Sequence, residues 1–255
     1  MRRNLFDLTG KVALVTGSGR GLGLGIARGL ADHGATVVLN DLDNSKLEKA
    51  ISTIEQDGGV VRSQTFDVTD QPAVIAGVEA TEKEVGPIDI LVNNAGIQRR
   101  HPLEEFPEDE WRQVIEMNLN SPFIVRKAVV AHMIKRKHGK IINICSLNSE
   151  ISRPSIAPYT AAKGGLRMLT KSMALEWAKY NIQTNAIGPG YFDTEMTKPL
   201  VDDPEFDAFV RKRTPQGRWG LPDDLAGVAV FLASNASNYV NGQLIFIDGG
   251  MLTTI

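Results

Sequence analysis

The chain has 255 residues, 42% hydrophobic and 23% charged, a length and balance that suit one globular domain needing no disulfide or metal staple. A formal net charge of −2 argues against a polyanion-binding surface, so no nucleic-acid partner is expected. The single cysteine, Cys145, excludes an internal disulfide and points to a reducing compartment.

The opening stretch, MRRNLFDLTGK, lacks the apolar core of a signal peptide, and no apolar run approaches the ~18 residues of a membrane helix. A cytoplasmic protein without a membrane partner is the expectation. Short β-branched runs at 11–17, 36–41, 60–68, 88–96, 140–146, 182–190 and 243–250 read as strands. Between them, 21–33, 43–57, 70–85, 107–137, 157–179 and 222–234 carry helical patterns. No repeat, low-complexity tract or linker interrupts this alternation, so residues 1–255 are expected to form a single domain. Mostly apolar strands separated by helices predict an α/β fold. It should be a Rossmann-like, doubly wound sheet of about seven parallel strands with helices on both faces, binding ligands at the strands' C-terminal ends.

The first predicted strand runs into TGSGRGLG (16–23), with a helix after it. Glycines at 17, 21 and 23 allow a sharp turn and a close approach to a pyrophosphate, which a helix N-terminus favours. The second strand ends at Asn40-Asp41. Asp41 is placed to accept from an adenosine ribose and to repel a 2′-phosphate, although a solvated turn aspartate reads the same way. Arg20, in the glycine loop, pulls in the other direction because it could bind a phosphate. The fourth strand ends in NNAG (93–96), which is either a side-chain-bonded turn or a cofactor-facing one. Asn118 falls inside a predicted helix, where asparagine is a mediocre choice. Ser146 ends the fifth strand. Thirteen residues later, APYTAAKGG sets Tyr159 and Lys163 four apart, on one helix face. His33, His132 and His138 read as surface or packing residues, Trp219 as structural, and no spaced ligand cluster predicts a metal.

Together, TGSGRGLG, NNAG, Asn118, Ser146, YTAAK and Pro189-Gly190 with Thr194 resemble the short-chain dehydrogenase/reductase family, in that family's order and over essentially the whole chain. The resemblance implies a catalytic set of Asn118, Ser146, Tyr159 and Lys163. Tyr159 would be the acid/base, Lys163 would lower its pKa and hold the nicotinamide ribose, Ser146 would position the reacting oxygen, and Asn118 would anchor a proton-relay water. It implies cofactor contacts from Gly17, Ser18, Arg20, Gly21, Leu22 and Gly23, and from Asp41 and Leu42. Asp67 and Val68 would lie where the family touches adenine. Asn94, Ala95 and Gly96, then Pro189, Gly190 and Thr194, with Tyr159 and Lys163, would complete the cofactor site. Because of Asp41, NAD(H) is favoured and NADP(H) remains open.

Less generic stretches, NNAGIQRRHP (93–102), NICSLNSE (143–150), GPGYFDTEMTK (188–198), KRTPQGRWG (212–220) and VNGQLIFIDGGM (240–251), resemble members that interconvert D-gluconate and 5-keto-D-gluconate. A small-molecule sugar acid is therefore the expected substrate. A sugar acid needs a cation, and Arg100 is the first choice and Arg99 the second, unless the pair is only a solvated loop balancing Glu104 and Glu105. Ser146, Asn148, Glu150, Tyr159 and Tyr191 would complete the substrate contacts, with Glu150 binding hydroxyls or orienting the arginine. The family analogy also implies a homotetramer built through 107–137, 157–179 and the last strand. Two alternatives stand: a 3-ketoacyl-carrier-protein reductase, against which LEEFPEDE (103–110) argues because an acidic partner would be repelled, and a non-catalytic nucleotide-binding regulator, which should lack a catalytic residue.

Overall fold

The computed structural model describes residues 4–253. Its strands are β1 (Val12–Thr16), β2 (Thr36–Asp41), β3 (Val60–Thr65), β4 (Ile88–Asn93), β5 (Gly139–Ile144), β6 (Ile182–Pro189) and β7 (Leu244–Ile247). They form one parallel sheet in the order β3-β2-β1-β4-β5-β6-β7. The predicted strand positions hold, with shorter C-terminal ends.

Alternate side chains of β1 feed opposite faces of the sheet, as the period of two requires. Ala13 and Val15 pack with α1 (Gly21–Asp32), α2 (Asn44–Gln56) and α9 (Ala226–Ala233). Val12 and Leu14 pack with α3 (Gln71–Glu84), α5 (Ser121–Arg136) and α6 (Ala157–Trp177). Central strands β1, β4, β5 and β6 are buried throughout, so their sequences are mostly apolar without alternation and their polar members, such as Asp89, Asn143 and Asn185, are hydrogen-bonded inside. Val12 faces Ile88 but Ala13 faces Ile90, so the register skips Asp89. That residue's carboxylate instead accepts the Val12 amide at 3.2 Å.

The predicted 107–137 helix is not continuous. It divides into α4 (Glu108–Ile115), a π-helical turn over Glu116–Asn120, and α5. Such turns insert one residue into a helix and are frequent at functional sites. The long connection from β6 to α9 also holds two helices that the sequence pattern did not reveal, α7 (Lys198–Val201) and α8 (Pro204–Arg213). α8 is short, with charged and apolar residues in equal number, and it starts where the Asp203 side chain accepts from the amides of Glu205 and Phe206. A small separate core of Leu147, Val210, Trp219 and Met251, flanked by Tyr191 and Phe206, holds it down. Trp219 is therefore structural, as expected.

Helix α1 lies close against the segment that opens α9. A Cβ at Gly29 would come 2.5 Å from Ala226 Cβ, a distance real contacts do not show. Gly29→Ala should gain up to ~1 kcal/mol of helix propensity, yet overpacking at a backbone-fixed neighbour costs ~1–3 kcal/mol. The net expectation is a lower urea midpoint, and an unchanged or higher midpoint would show that the two elements separate freely.

Candidate active site

The strand order reverses between β1 and β4, and a cleft of about 350 Å³ opens at their C-terminal ends. The glycine loop forms one wall. Gly17 and Gly21 have φ of 61° and 57°, in the left-handed region that side chains disfavour. Space is equally restrictive. A Cβ at Gly17 would meet Ala95 Cα at 2.8 Å, one at Gly23 would meet Asn94 Nδ2 at 2.5 Å, and one at Gly96 would meet Asn118 Oδ1 at 2.7 Å. Gly19, which the sequence reading passed over, is constrained as well, since its Cβ would lie 2.9 Å from the Asp41 carboxylate. Arg20 caps α1 without a side-chain hydrogen bond. The first-turn amides of that helix are therefore free of a protein side-chain acceptor and suit a pyrophosphate. The cradle fits a dinucleotide.

Most residues expected to hold the cofactor line this cleft: Gly17, Arg20, Gly21, Leu22 and Gly23; Asp41 and Leu42; Asp67 and Val68; Asn94, Ala95 and Gly96; Pro189, Gly190 and Thr194. Ser18 does not. It is fully buried, and its hydroxyl donates to Val15 O at 2.7 Å and accepts from the Asn40 amide at 3.1 Å. Its role is to shape the loop, because a side chain so placed cannot reach a ligand. Asn94 spends its amide on the protein, donating to Thr16 O and Gly17 O, both at 2.9 Å. The two readings of NNAG are thus compatible: the motif is a side-chain-bonded turn and also a cleft wall. At the adenosine end, the Asp41 carboxylate accepts the amides of Leu42 at 2.8 Å and Gly19 at 3.3 Å, while Arg20 pairs with Glu195.

Asn118, Ser146, Tyr159 and Lys163, far apart in sequence, converge on the same cleft. The π-helical turn fixes Asn118. Its Nδ2 donates to Ile97 O at 2.8 Å and Val114 O at 2.9 Å, leaving the buried Oδ1 without a protein partner. Ser146 sits at the end of β5, where its Oγ donates to Asn148 Oδ1 at 3.3 Å and accepts the Asn148 amide at 3.2 Å, and its hydroxyl lies near enough to the Tyr159 phenol to favour the phenolate. Lys163 Nζ donates to Ile144 O at 2.7 Å and lies 5.5 Å from the Tyr159 ring centre.

Burial reverses part of the expected electrostatics. It pushes the Tyr159 phenol up to about 12, and the Ser146 hydrogen bond opposes this only in part. Burial likewise brings the Lys163 ammonium down to about 8. Burial is therefore the largest influence on the phenol, and the Lys163 ammonium is directed at the Ile144 carbonyl.

At the substrate end the expectations divide. Arg100, Asn148 and Tyr191 line the cleft. Arg99 does not: it donates to Gln98 O and lies 3.9 Å from the Glu110 carboxylate. Glu150 is also turned away, in an ion pair with Arg167, so it neither lines the cleft nor orients Arg100. That pairing was illegible because Arg167 is seventeen residues further along, on α6. Arg100 donates to Gln98 Oε1 at 3.0 Å, and burial together with the nearby Arg153 holds its pKa below the ordinary guanidinium value. Arg153 and Gln98 line the cleft too, and neither was anticipated. Gln98 had a signal, its place beside NNAG at a strand end. Arg153 lies in an irregular loop that carries no motif.

A glycine-cradled dinucleotide site running into a Ser-Tyr-Lys set, with Ser146 and Lys163 buried and Tyr159 half-buried on the cleft wall, defines a nicotinamide-dependent oxidoreductase. Residues 17–252 match the family described as enoyl-(acyl carrier protein) reductase, and the chain belongs to the short-chain dehydrogenase/reductase family. It is 52% identical over 252 residues to 5-keto-D-gluconate 5-reductase of Escherichia coli K12, covering 99% of each chain. It is 54% identical to gluconate 5-dehydrogenase of Gluconobacter oxydans, covering 99% of this chain and 98% of the relative. The solved gluconate 5-dehydrogenase of Burkholderia cenocepacia, in complex with NADP and tartrate, is 52% identical with a TM-score of 0.95 over 99% of each chain.

The direction of the Tyr159 shift is directly measurable. In the cofactor-free protein, difference absorbance between wild type and Tyr159→Phe should show no Tyr159 phenolate below about pH 10. A phenolate signal near pH 8 would mean that Lys163, rather than burial, governs this group.

Proposed function

We propose that the protein interconverts D-gluconate and 5-keto-D-gluconate, with Asn118, Ser146, Tyr159 and Lys163 as the catalytic set. The observation that carries this reading is the convergence of these four side chains with Arg100 in one cleft, beside identities above 50% to relatives named for this reaction. When bound, the nicotinamide supplies or accepts the hydride. Tyr159, protonated at neutral pH by virtue of its burial, is poised to donate a proton to the ketone oxygen during reduction. Ser146, on the same cleft wall, holds that oxygen beside the phenol. For alcohol oxidation the phenol must first lose its proton, and the Lys163 charge then favours the phenolate. The unpartnered Asn118 Oδ1 supports a relay water at that point. Arg100, rather than Arg99, is the proposed carboxylate partner, since only Arg100 lines the cleft.

A second sugar-acid reading deserves its place. A relative 52% identical over 257 residues is named 2-dehydro-3-deoxy-D-gluconate 5-dehydrogenase, and such a substrate shares the carboxylate and the reacting C5. The acyl-carrier reading has weaker support: a solved 3-oxoacyl-(acyl-carrier-protein) reductase is 32% identical. All four catalytic residues are present, which weighs against a silent regulator.

For the cofactor we propose use of NADP(H) as well as NAD(H). Asp41 is engaged by its own turn, and Arg20 stands on the cleft wall as a partner for a 2′-phosphate. Structural neighbours 52% and 40% identical carry NADP. The other expectations continue as proposals: one domain over the chain, a cytoplasmic setting, and a homotetramer. The exposed Phe123 on α5 and Met168 and Leu175 on α6 support the last. Among the described residues no helix is long and apolar enough to cross a membrane.

Tyr159→Phe should reduce kcat for 5-keto-D-gluconate ~10²–10⁴-fold while retaining cofactor binding in a fluorescence titration; near-normal turnover would remove the tyrosine from the mechanism. Arg20→Ala should reduce kcat/KM with NADPH ~10-fold or more while changing that with NADH little, as expected for one charged hydrogen bond. Asp41→Ala should shift the ratio the opposite way. Equal effects of Arg20→Ala on both cofactors would sink the 2′-phosphate assignment.

A further inference from the structure

We propose that Arg153 is the second arm of a two-arginine clamp that, together with Arg100, grips the substrate carboxylate. The inference rests on the sugar-acid reading above and adds a residue that no motif marks. Arg153 lies in the loop that joins the short turn after β5 to α6, and it lines the same cleft as Arg100.

The way each arginine is held is informative. Arg20, Arg99, Arg167 and Arg218 each face a carboxylate, those of Glu195, Glu110, Glu150 and Asp224. Among the described residues Arg100 and Arg153 are the cleft-lining arginines whose direct partners are neutral; Arg62 and Arg126, whose direct partners are likewise neutral, lie outside the cleft. Arg100 donates to the Gln98 side chain at 3.0 Å. Arg153 donates from one Nη to the Tyr191 hydroxyl at 2.9 Å, and its guanidinium lies 5.3 Å from the centre of the Phe206 ring. Tyr191 is in turn fixed edge-on to Phe206 and Trp219, at 5.6 and 5.7 Å between ring centres. An aromatic seat orients a guanidinium without neutralising it.

Two like charges thus act on one another, and among the described residues neither forms a salt bridge with a carboxylate side chain. Arg153 is the charge that, after burial itself, depresses the Arg100 pKa. Holding two cations near each other in a part-buried cleft is unfavourable until an anion arrives. A guanidinium has five N–H donors, and the one bond from Arg153 to Tyr191 leaves others available. A carboxylate shared between the two arginines would use them and remove the repulsion. Tyr191 and Phe206 belong to the segment after β6 and to α8, so the same seat positions Arg153 from that side of the cleft.

The test compares D-gluconate with D-gluconamide, an uncharged analogue of the same length, in wild type, Arg153→Gln and Arg153→Lys, with retained cofactor binding as the check on folding. In Arg153→Gln the ratio of kcat/KM for gluconate over gluconamide should fall ~10- to 100-fold, the range for losing a charged hydrogen bond. Arg153→Lys should restore part of it. The inhibition constant or, without turnover, the dissociation constant of tartrate on the cofactor-loaded enzyme should weaken in step. If the two substrates lose equally, Arg153 only ties its loop to α8 and the clamp is overturned. If wild type turns over neither substrate, the sugar-acid reading fails, but tartrate affinity still decides the clamp: equal affinity in wild type and Arg153→Gln overturns it, and a marked loss supports it.

Discussion

The cleft depends on one close approach, between the carboxyl ends of β1 and β4. The Thr16 hydroxyl accepts the backbone amides of Asn94 and Ala95 at 3.0 and 3.1 Å, and the Asn94 side chain answers with two bonds to the carbonyls of Thr16 and Gly17. These residues are 78 positions apart in the chain. Their lock leaves no room for a side chain at Gly17 or Gly23, and it holds the glycine loop against the amino end of α1. A pyrophosphate site of this kind is a consequence of backbone proximity. It needs glycine because anything larger would force the two strand ends apart.

Charge is distributed along the cleft in a way that follows from this frame. The adenosine end has both signs, with Asp41 bonded into its turn and Arg20 paired to Glu195. The middle holds one buried cation, Lys163, 4% exposed and brought down to about 8, beside Ser146 at 9% exposed. The far end holds two guanidiniums on neutral supports. A substrate with one fixed negative charge and a chain of hydroxyls matches that gradient, its anionic end held away from the phenol.

The Tyr-Lys pair shows why adjacency in sequence is a poor guide to electrostatics. Four residues of helix bring a phenol and an ammonium to one face, and an ammonium near a phenol ordinarily favours the phenolate. Here burial acts on both groups in opposite senses, moving the phenol to about 12 and the ammonium to about 8. Desolvation is the largest influence on each group, and Lys163 is bonded to a backbone carbonyl rather than to the phenolic oxygen.

By itself the sequence determined the parallel α/β sheet and the glycine loop, and it named the four side chains proposed as catalytic, because strand and helix periods, glycine spacing and an i, i+4 pair are local properties. The Asn118 position was visible as a poor helix former, but the π-helical turn that aims it was not, since one inserted residue scarcely alters the amphipathic pattern. Only the tertiary structure separated Arg100 from Arg99, turned Ser18 inward, paired Glu150 with Arg167 and brought Arg153 into the cleft. Ser18, Glu150 and Arg153 are set by partners distant in sequence, Asn40, Arg167 and Tyr191, while Arg99 and Arg100 are parted within one loop that has no repeating pattern. The direction of Glu150 and Arg153 is decided by contacts with α6 and α8, which no local spacing encodes.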